Sequence, residues 1–165
     1  METHEHLKFC IERFDHYYDS VNNKSALFLA VNTFIVGGLM AIYPSIQTAF
    51  DCGFWINGNF TAIVFSGLIS ILFTLSAGIP FLAKPGNSHL YFESIARFSL
   101  ADFKASVSAL NAQELQNDYT EQIHQLSIGL RNKFRRLRWA GYLIFLEFIL
   151  SIPFIILLMN NIKSK

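Results

Sequence analysis

The stretch that decides the fold is Leu130–Phe154, LRNKFRRLRWAGYLIFLEFILSIPF. It opens with five cations, Arg131, Lys133, Arg135, Arg136 and Arg138, and then turns apolar with one carboxylate, Glu147, inside the apolar run. A bilayer core of ~30 Å takes about 20 apolar residues as helix. The run from Trp139 to about Met159 meets that length. Two further runs carry no formal charge, one between Lys24 and Asp51 and one between Asp51 and Lys84. Three transmembrane helices are therefore expected near 25–47, 60–82 and 139–160. The expected segments are 1–24, 25–83 (a membrane hairpin), 84–138, 139–160 and a tail, 161–165. Charged residues make up 15% of the 165, against roughly 25% in a soluble domain, which agrees with a bilayer protein. The first 24 residues hold no apolar run, so no cleavable signal is expected.

Lys and Arg set the expected orientation. Lys8, Arg13 and Lys24 precede the first span, and Lys84, Arg97, Lys104 and the collar lie between the second and third; residues 48–59 have none. The positive-inside rule places the N-terminus and residues 84–138 in the cytoplasm, although Lys163 and Lys165 fall on the far side. Cys10 and Cys52 then lie on opposite faces of the membrane and stay unpaired.

The water-exposed parts read as helix. Leu7, Ile11, Phe14, Tyr18 and Val21 form one stripe, and DSVNNKS (19–25) suggests a bend or cap at the membrane surface before the first span. Phe92, Ile95, Ser99, Phe103, Val107 and Leu110 form a second stripe after a KPGNS turn (84–88), with Ser88 as the expected cap. NAQE at 111–114 has the form of a capping box. Leu115, Tyr119, Ile123, Leu126, Leu130, Phe134 and Leu137 then run without proline into Trp139. The expectation is an all-α membrane protein with a cytoplasmic helical layer (3–22, 88–110 and 112–137), its last helix continuous with the third span from about 112 to 158.

Small residues recur along the first two spans: Ala26, Ala30, Thr33, Gly37, Ala41 and Ser45, then Ala62, Ser66, Ser70, Thr74 and Gly78. Such faces let helices approach closely in lipid. They fit a tight hairpin, or a water-filled path along Ser66, Ser70 and Thr74 in an oligomer. Pro44 and Pro80 mark span ends.

No enzyme signature is present: there is no phosphate-binding glycine loop, zinc helix motif or nucleophile elbow. His4, His6 and His16 fit a solvated cluster, and Asp102 with Glu93 makes no acid–base pair without a pocket. No catalysis, metal or cofactor is expected. Arg131, Arg135 and Arg138 share one helical face, with Lys133 and Arg136 beside it and no acid between Glu121 and Glu147. Cations there anchor topology and meet anionic lipid, or they hold an anionic ligand through guanidinium forks. Tyr91, Phe92, Phe98, Tyr119 and Phe134 are available to stack a base. Glu147 lies ~12 Å beyond Trp139 at 1.5 Å per residue, where an ionised acid must face protein or water. It is either protonated and bonded to Asn32 or a Ser/Thr of another helix, or part of a cation path in an oligomer. Arg138 is too far along the same helix to reach it. Asn32 is the other intramembrane polar group in need of a partner.

The layout resembles the Pycsar-type transmembrane effectors of bacterial antiphage defence. The matching residues are Asp19 and Lys24, then Tyr91, Phe92, Ile95 and Ala96, then Gln122, Ile123, Leu126, Lys133, Phe134 and Leu137. The resemblance implies a bacterial inner-membrane effector. A nucleotide second messenger from a partner cyclase or nucleotidyltransferase would bind the cytoplasmic helices of a homo-oligomer, with Arg131, Lys133, Arg135, Arg136, Arg138 and Tyr91 as its expected site. The membrane segment would respond by conducting ions. The alternative is a non-conducting membrane adaptor that recruits a soluble partner.

Overall fold

The computed structural model describes residues 2–50, 52–80 and 88–163. These form helices α1 (Glu2–Ala49), α2 (Phe54–Gly78), α3 (Phe92–Ile95), α4 (Leu100–Ala109) and α5 (Ala112–Lys163), with no strand among the described residues. Three of them, α1, α2 and α5, are long and apolar enough to cross a membrane. At 1.5 Å per residue the 52 residues of α5 reach ~78 Å, far beyond a ~30 Å hydrocarbon core. Much of that helix must therefore lie outside the bilayer.

The continuity expected through Leu137–Trp139 holds: α5 is unbroken from Ala112 to Lys163 and even accommodates Pro153. Its start is the expected capping box. The Glu114 amide donates to Asn111 Oδ1 at 2.8 Å, and the Asn111 amide donates to Glu114 Oε2 at 3.2 Å.

Two expectations are corrected. The bend at 19–25 is absent, because α1 continues through Asn22 and Asn23 with Pro44 inside it. Each Asn disfavours helix by only some tenths of a kcal/mol, and Val21, fully buried, and Ser25, 8% exposed, anchor the helix across that region. The helix expected over 88–110 is two helices, because Ser99 starts a new one. Its Oγ accepts from the Asp102 amide at 3.1 Å and donates to Asp102 Oδ2 at 2.6 Å. This S-x-x-D cap stood in the sequence as SLAD. Ser88 caps no long helix; its Oγ accepts from the Leu90 and Tyr91 amides. The rest of the KPGNS turn, with Lys84, and residues 164–165 of the tail lie outside the described residues.

The chain divides into two compact units. The first comprises Met1–Ser20 and Pro80–Asn132; the second comprises Val21–Ile79 and Lys133–Lys165. In the first, the Tyr18 hydroxyl donates to the Leu126 carbonyl at 2.9 Å, the His89 amide donates to Asp118 Oδ2 at 2.7 Å, and His4 packs edge-on against Tyr119. The second holds a core of Ile46, Ile56, Ile63 and Phe154. At the same end Tyr43 donates to Asn57 Oδ1 and stacks on Phe60.

Candidate functional site

The polar residues singled out in the spans meet inside the second unit. On α2, Ser66, Ser70, Thr74 and Ala77 are all buried, as the four-residue spacing requires of one helix face. Ser66 and Thr74 return their hydroxyl protons to their own helix, at the Ile63 and Ser70 carbonyls. Ser70 instead joins three helices: it accepts from Asn32 Nδ2 of α1 at 2.9 Å and donates to the Ala140 carbonyl of α5 at 3.0 Å.

Glu147 is fully buried in the same unit. Neither carboxyl oxygen has a hydrogen-bond partner among the described residues, and neither does Asn32 Oδ1. Asn32 is therefore bonded to Ser70, and no bond joins it to Glu147. Gly67 makes room for Val36 beside the acid: a Cβ there would overlap Val36 Cγ2, while it would meet Glu147 Oε1 only at ordinary contact distance, 3.4 Å. The result is a seam of polar oxygen atoms enclosed within one chain.

The small-residue face of α1 behaves differently. Ala26, Ala30, Thr33, Gly37, Ala41 and Ser45 are all exposed, and a Cβ at Gly37 would meet nothing within 4 Å. The face α1 turns inward is Val21, Ser25, Asn32, Val36 and Ile46. The two small-residue stripes therefore do not pack on each other.

The collar also splits. Lys133, 5% exposed, donates from Nζ to the Ala77 carbonyl at 2.7 Å, and Arg136 Nη1 donates to the Ser76 carbonyl at 2.7 Å. These carbonyls end α2, where no further turn supplies amide donors and the helix dipole is negative. Burial, and after it the charge of Arg136, lowers the Lys133 pKa below the ordinary lysine value. Arg135 and Arg138 are exposed and make no hydrogen bond or ion pair among the described residues. Arg138 lines a cavity of about 260 Å³ with Lys24, Phe28, Phe134 and Tyr142. Arg131 is exposed and belongs to the first unit.

Tyr91, also in the first unit, is 8% exposed and donates to Glu93 Oε2 at 3.2 Å. Desolvation and then the Glu93 hydrogen bond raise its phenol pKa. The exposed aromatic beside it is Phe92, 64% exposed. The first unit also has a cavity of about 350 Å³ lined by His89, Glu114, Asp118 and Glu121. Its acids are poorly suited to an anion. Among the described residues no three His, Cys, Asp or Glu side chains group as metal ligands.

Against known families, the profile of the Pycsar effector protein domain matches residues 6–160. The chain belongs to the Pycsar effector family. It is accordingly a membrane effector of antiphage defence. No match is found among curated proteins or solved structures. Two of the residues that carry the family resemblance, distant in sequence, meet in this effector: Lys24 Nζ lies 5.8 Å from the centroid of the Phe134 ring. The role of Lys133 and Arg136 as caps of α2 was not visible in the sequence. The collar's spacing gives its position on α5 but not the helix end opposite it.

Proposed function

We propose that this Pycsar effector is an oligomeric, nucleotide-gated permeabiliser of the bacterial inner membrane. The observation that carries the reading is the unbroken α5, which bears the exposed Arg131, Arg135 and Arg138 and, farther along, the buried Glu147. An anionic signal made by a partner cyclase or nucleotidyltransferase binds the exposed guanidinium groups of Arg131 and Arg135. It shifts the membrane segment only as far as its affinity differs between the closed and open packings. Lys133 and Arg136 are already bonded to α2, so their part is to tie α5 to the neighbouring span. In the closed packing the seam of Asn32, Ser66, Ser70, Thr74 and Glu147 is shut inside each subunit, and opening exposes its oxygen atoms to a cation path.

Three helices cannot enclose a pore alone, so the reading requires several copies. The exposed α1 stripe centred on Gly37 supplies a face on which helices can approach closely in lipid. With the N-terminus and collar cytoplasmic, the signal arrives on the side where it is made.

The test is ion flux from liposomes holding the purified effector, challenged with cyclic mononucleotides, cyclic oligonucleotides and linear oligonucleotides in turn. One class should open the membrane, and Arg135→Glu should suppress that response without loss of insertion. Flux with none of the classes would overturn gating. A second reading, a non-conducting adaptor, is favoured by one observation: Phe92, Leu100 and Val107 of the first unit are 64%, 71% and 46% exposed. A soluble partner retained through these side chains, with no flux, would select it.

A further inference from the structure

We propose that the cavity lined by Lys24 and Arg138 seats the phosphate of an anionic phospholipid. Two cations from different helices, α1 and α5, line one space of about 260 Å³, and no acid lines it. Neither cation makes an ion pair or hydrogen bond among the described residues. Lys24 is held over the Phe134 ring at 5.8 Å, a contact that positions the ammonium without neutralising it. Two separated cations facing one cavity suit a phosphate ester, whose oxygens accept from both an ammonium and a guanidinium fork.

A phosphate ester has two sources, a lipid headgroup and a soluble nucleotide. The position favours lipid. Lys24 is the last charge before the uncharged run to Phe50, and Arg138 is the last before Glu147. Of the other walls, Phe134 and Leu137 precede Arg138, and Phe28, Gly141 and Tyr142 belong to the apolar stretches. A Cβ at Gly141 would stand 3.3 Å from Phe28 Cε2, so this glycine lets the Phe28 ring lie against α5. Trp139 and Tyr142, 55% and 58% exposed, stand edge to face at 5.8 Å, as aromatic residues do at a headgroup boundary. The cavity therefore offers charge at one end and an apolar wall leading into hydrocarbon. A lipid satisfies both ends at once. A soluble nucleotide would satisfy the cations but not the apolar wall.

The experiment uses the full chain in phosphatidylcholine bilayers with trace spin-labelled phosphatidylglycerol or spin-labelled phosphatidylcholine, and reads the motionally restricted fraction. The native chain should select phosphatidylglycerol several-fold. Lys24→Gln and Arg138→Gln should each lower that selectivity about fivefold, the change that ~1 kcal/mol per cation gives. Arg135→Gln, exposed and outside the cavity, should lower it by no more than about twofold, because a charge in open solvent is screened. Equal loss in Arg135→Gln would show a diffuse field in place of a site and overturn the proposal. So would an absence of selectivity in the native chain. Displacement of the labelled phosphatidylglycerol by millimolar cytidine monophosphate or inorganic phosphate would reassign the cavity to a soluble phosphate and equally end the lipid assignment.

Discussion

Two sets of polar groups in the membrane unit are treated in opposite ways. At the end of α2, the Ser76 and Ala77 carbonyls each receive a cationic donor from α5. Midway along the helices, Asn32 Oδ1 and both oxygens of Glu147 receive none among the described residues. The first arrangement is what stability asks for: a hydrogen bond to a charged group contributes about 1.5–3 kcal/mol. The second opposes it, since each buried unmet polar group costs about 1–3 kcal/mol. A chain under selection for stability alone would place an aliphatic residue at 147. The collar end of the unit therefore reads as scaffold, and under the proposed gating the seam is the part kept for another state.

The largest test of that contrast is steric. Gly67→Leu puts a side chain where Val36 already lies and against the Glu147 carboxyl, and overpacking of this kind costs about 3 kcal/mol. Its unfolding midpoint in detergent should fall sharply. Gly37→Leu adds the same atoms to an open face and should change monomer stability by less than about 0.5 kcal/mol, while lowering the yield of cross-linked oligomer. Equal destabilisation by both would erase the distinction between the inward and outward small-residue faces. Next in size is Lys133→Met. It leaves the Ala77 carbonyl without its ammonium and should lower stability by about 2 kcal/mol. Arg136→Met, at an exposed contact, should cost below about 1 kcal/mol. A reversed order would mean that the buried lysine does not hold α2 to α5.

Much of this was legible from residues. Hydrocarbon penalises charge so strongly that the uncharged runs after Lys24 and Asp51 and the apolar run after Arg138 located three helices able to span. Asn111 and Glu114 gave the start of α5 because a capping box satisfies specific amide donors. The errors came where local preference is weak. Asn22 and Asn23 looked like a bend, yet the burial of Val21 beside them outweighs their helix penalty. Ser99 was counted in an apolar stripe although SLAD carries the signal of a new helix. The partners of the polar residues were harder still. Periodicity placed Ser66, Ser70 and Thr74 on one face, but only the three-helix packing shows Asn32 bonded to Ser70 and Glu147 without a partner among the described residues. Nothing in the spacing of the α1 stripe indicated that it faces outward.

The subtler tests separate function from stability. Glu147→Leu removes two unmet oxygens and should raise the unfolding free energy by about 1–2 kcal/mol, while abolishing any cation preference of the conductance. Glu147→Gln keeps the shape and should hold stability nearly level. If Leu destabilises more than Gln, the carboxyl has a partner that the seam conceals, and the contrast between the two sets of polar groups weakens. The smallest effect on stability belongs to Arg135→Gln. Its side chain is exposed and bonded to no described residue, so the change should lie within about 0.5 kcal/mol. Its effect on nucleotide-evoked flux should nevertheless be the larger of the two arginine variants. Arg136→Gln removes a charge already turned toward Ser76. A signal that reads only guanidinium groups facing solvent must lose more at 135 than at 136. Equal losses would mean that the signal senses the net charge of the collar, and the division of the collar into caps and contacts would have no bearing on gating.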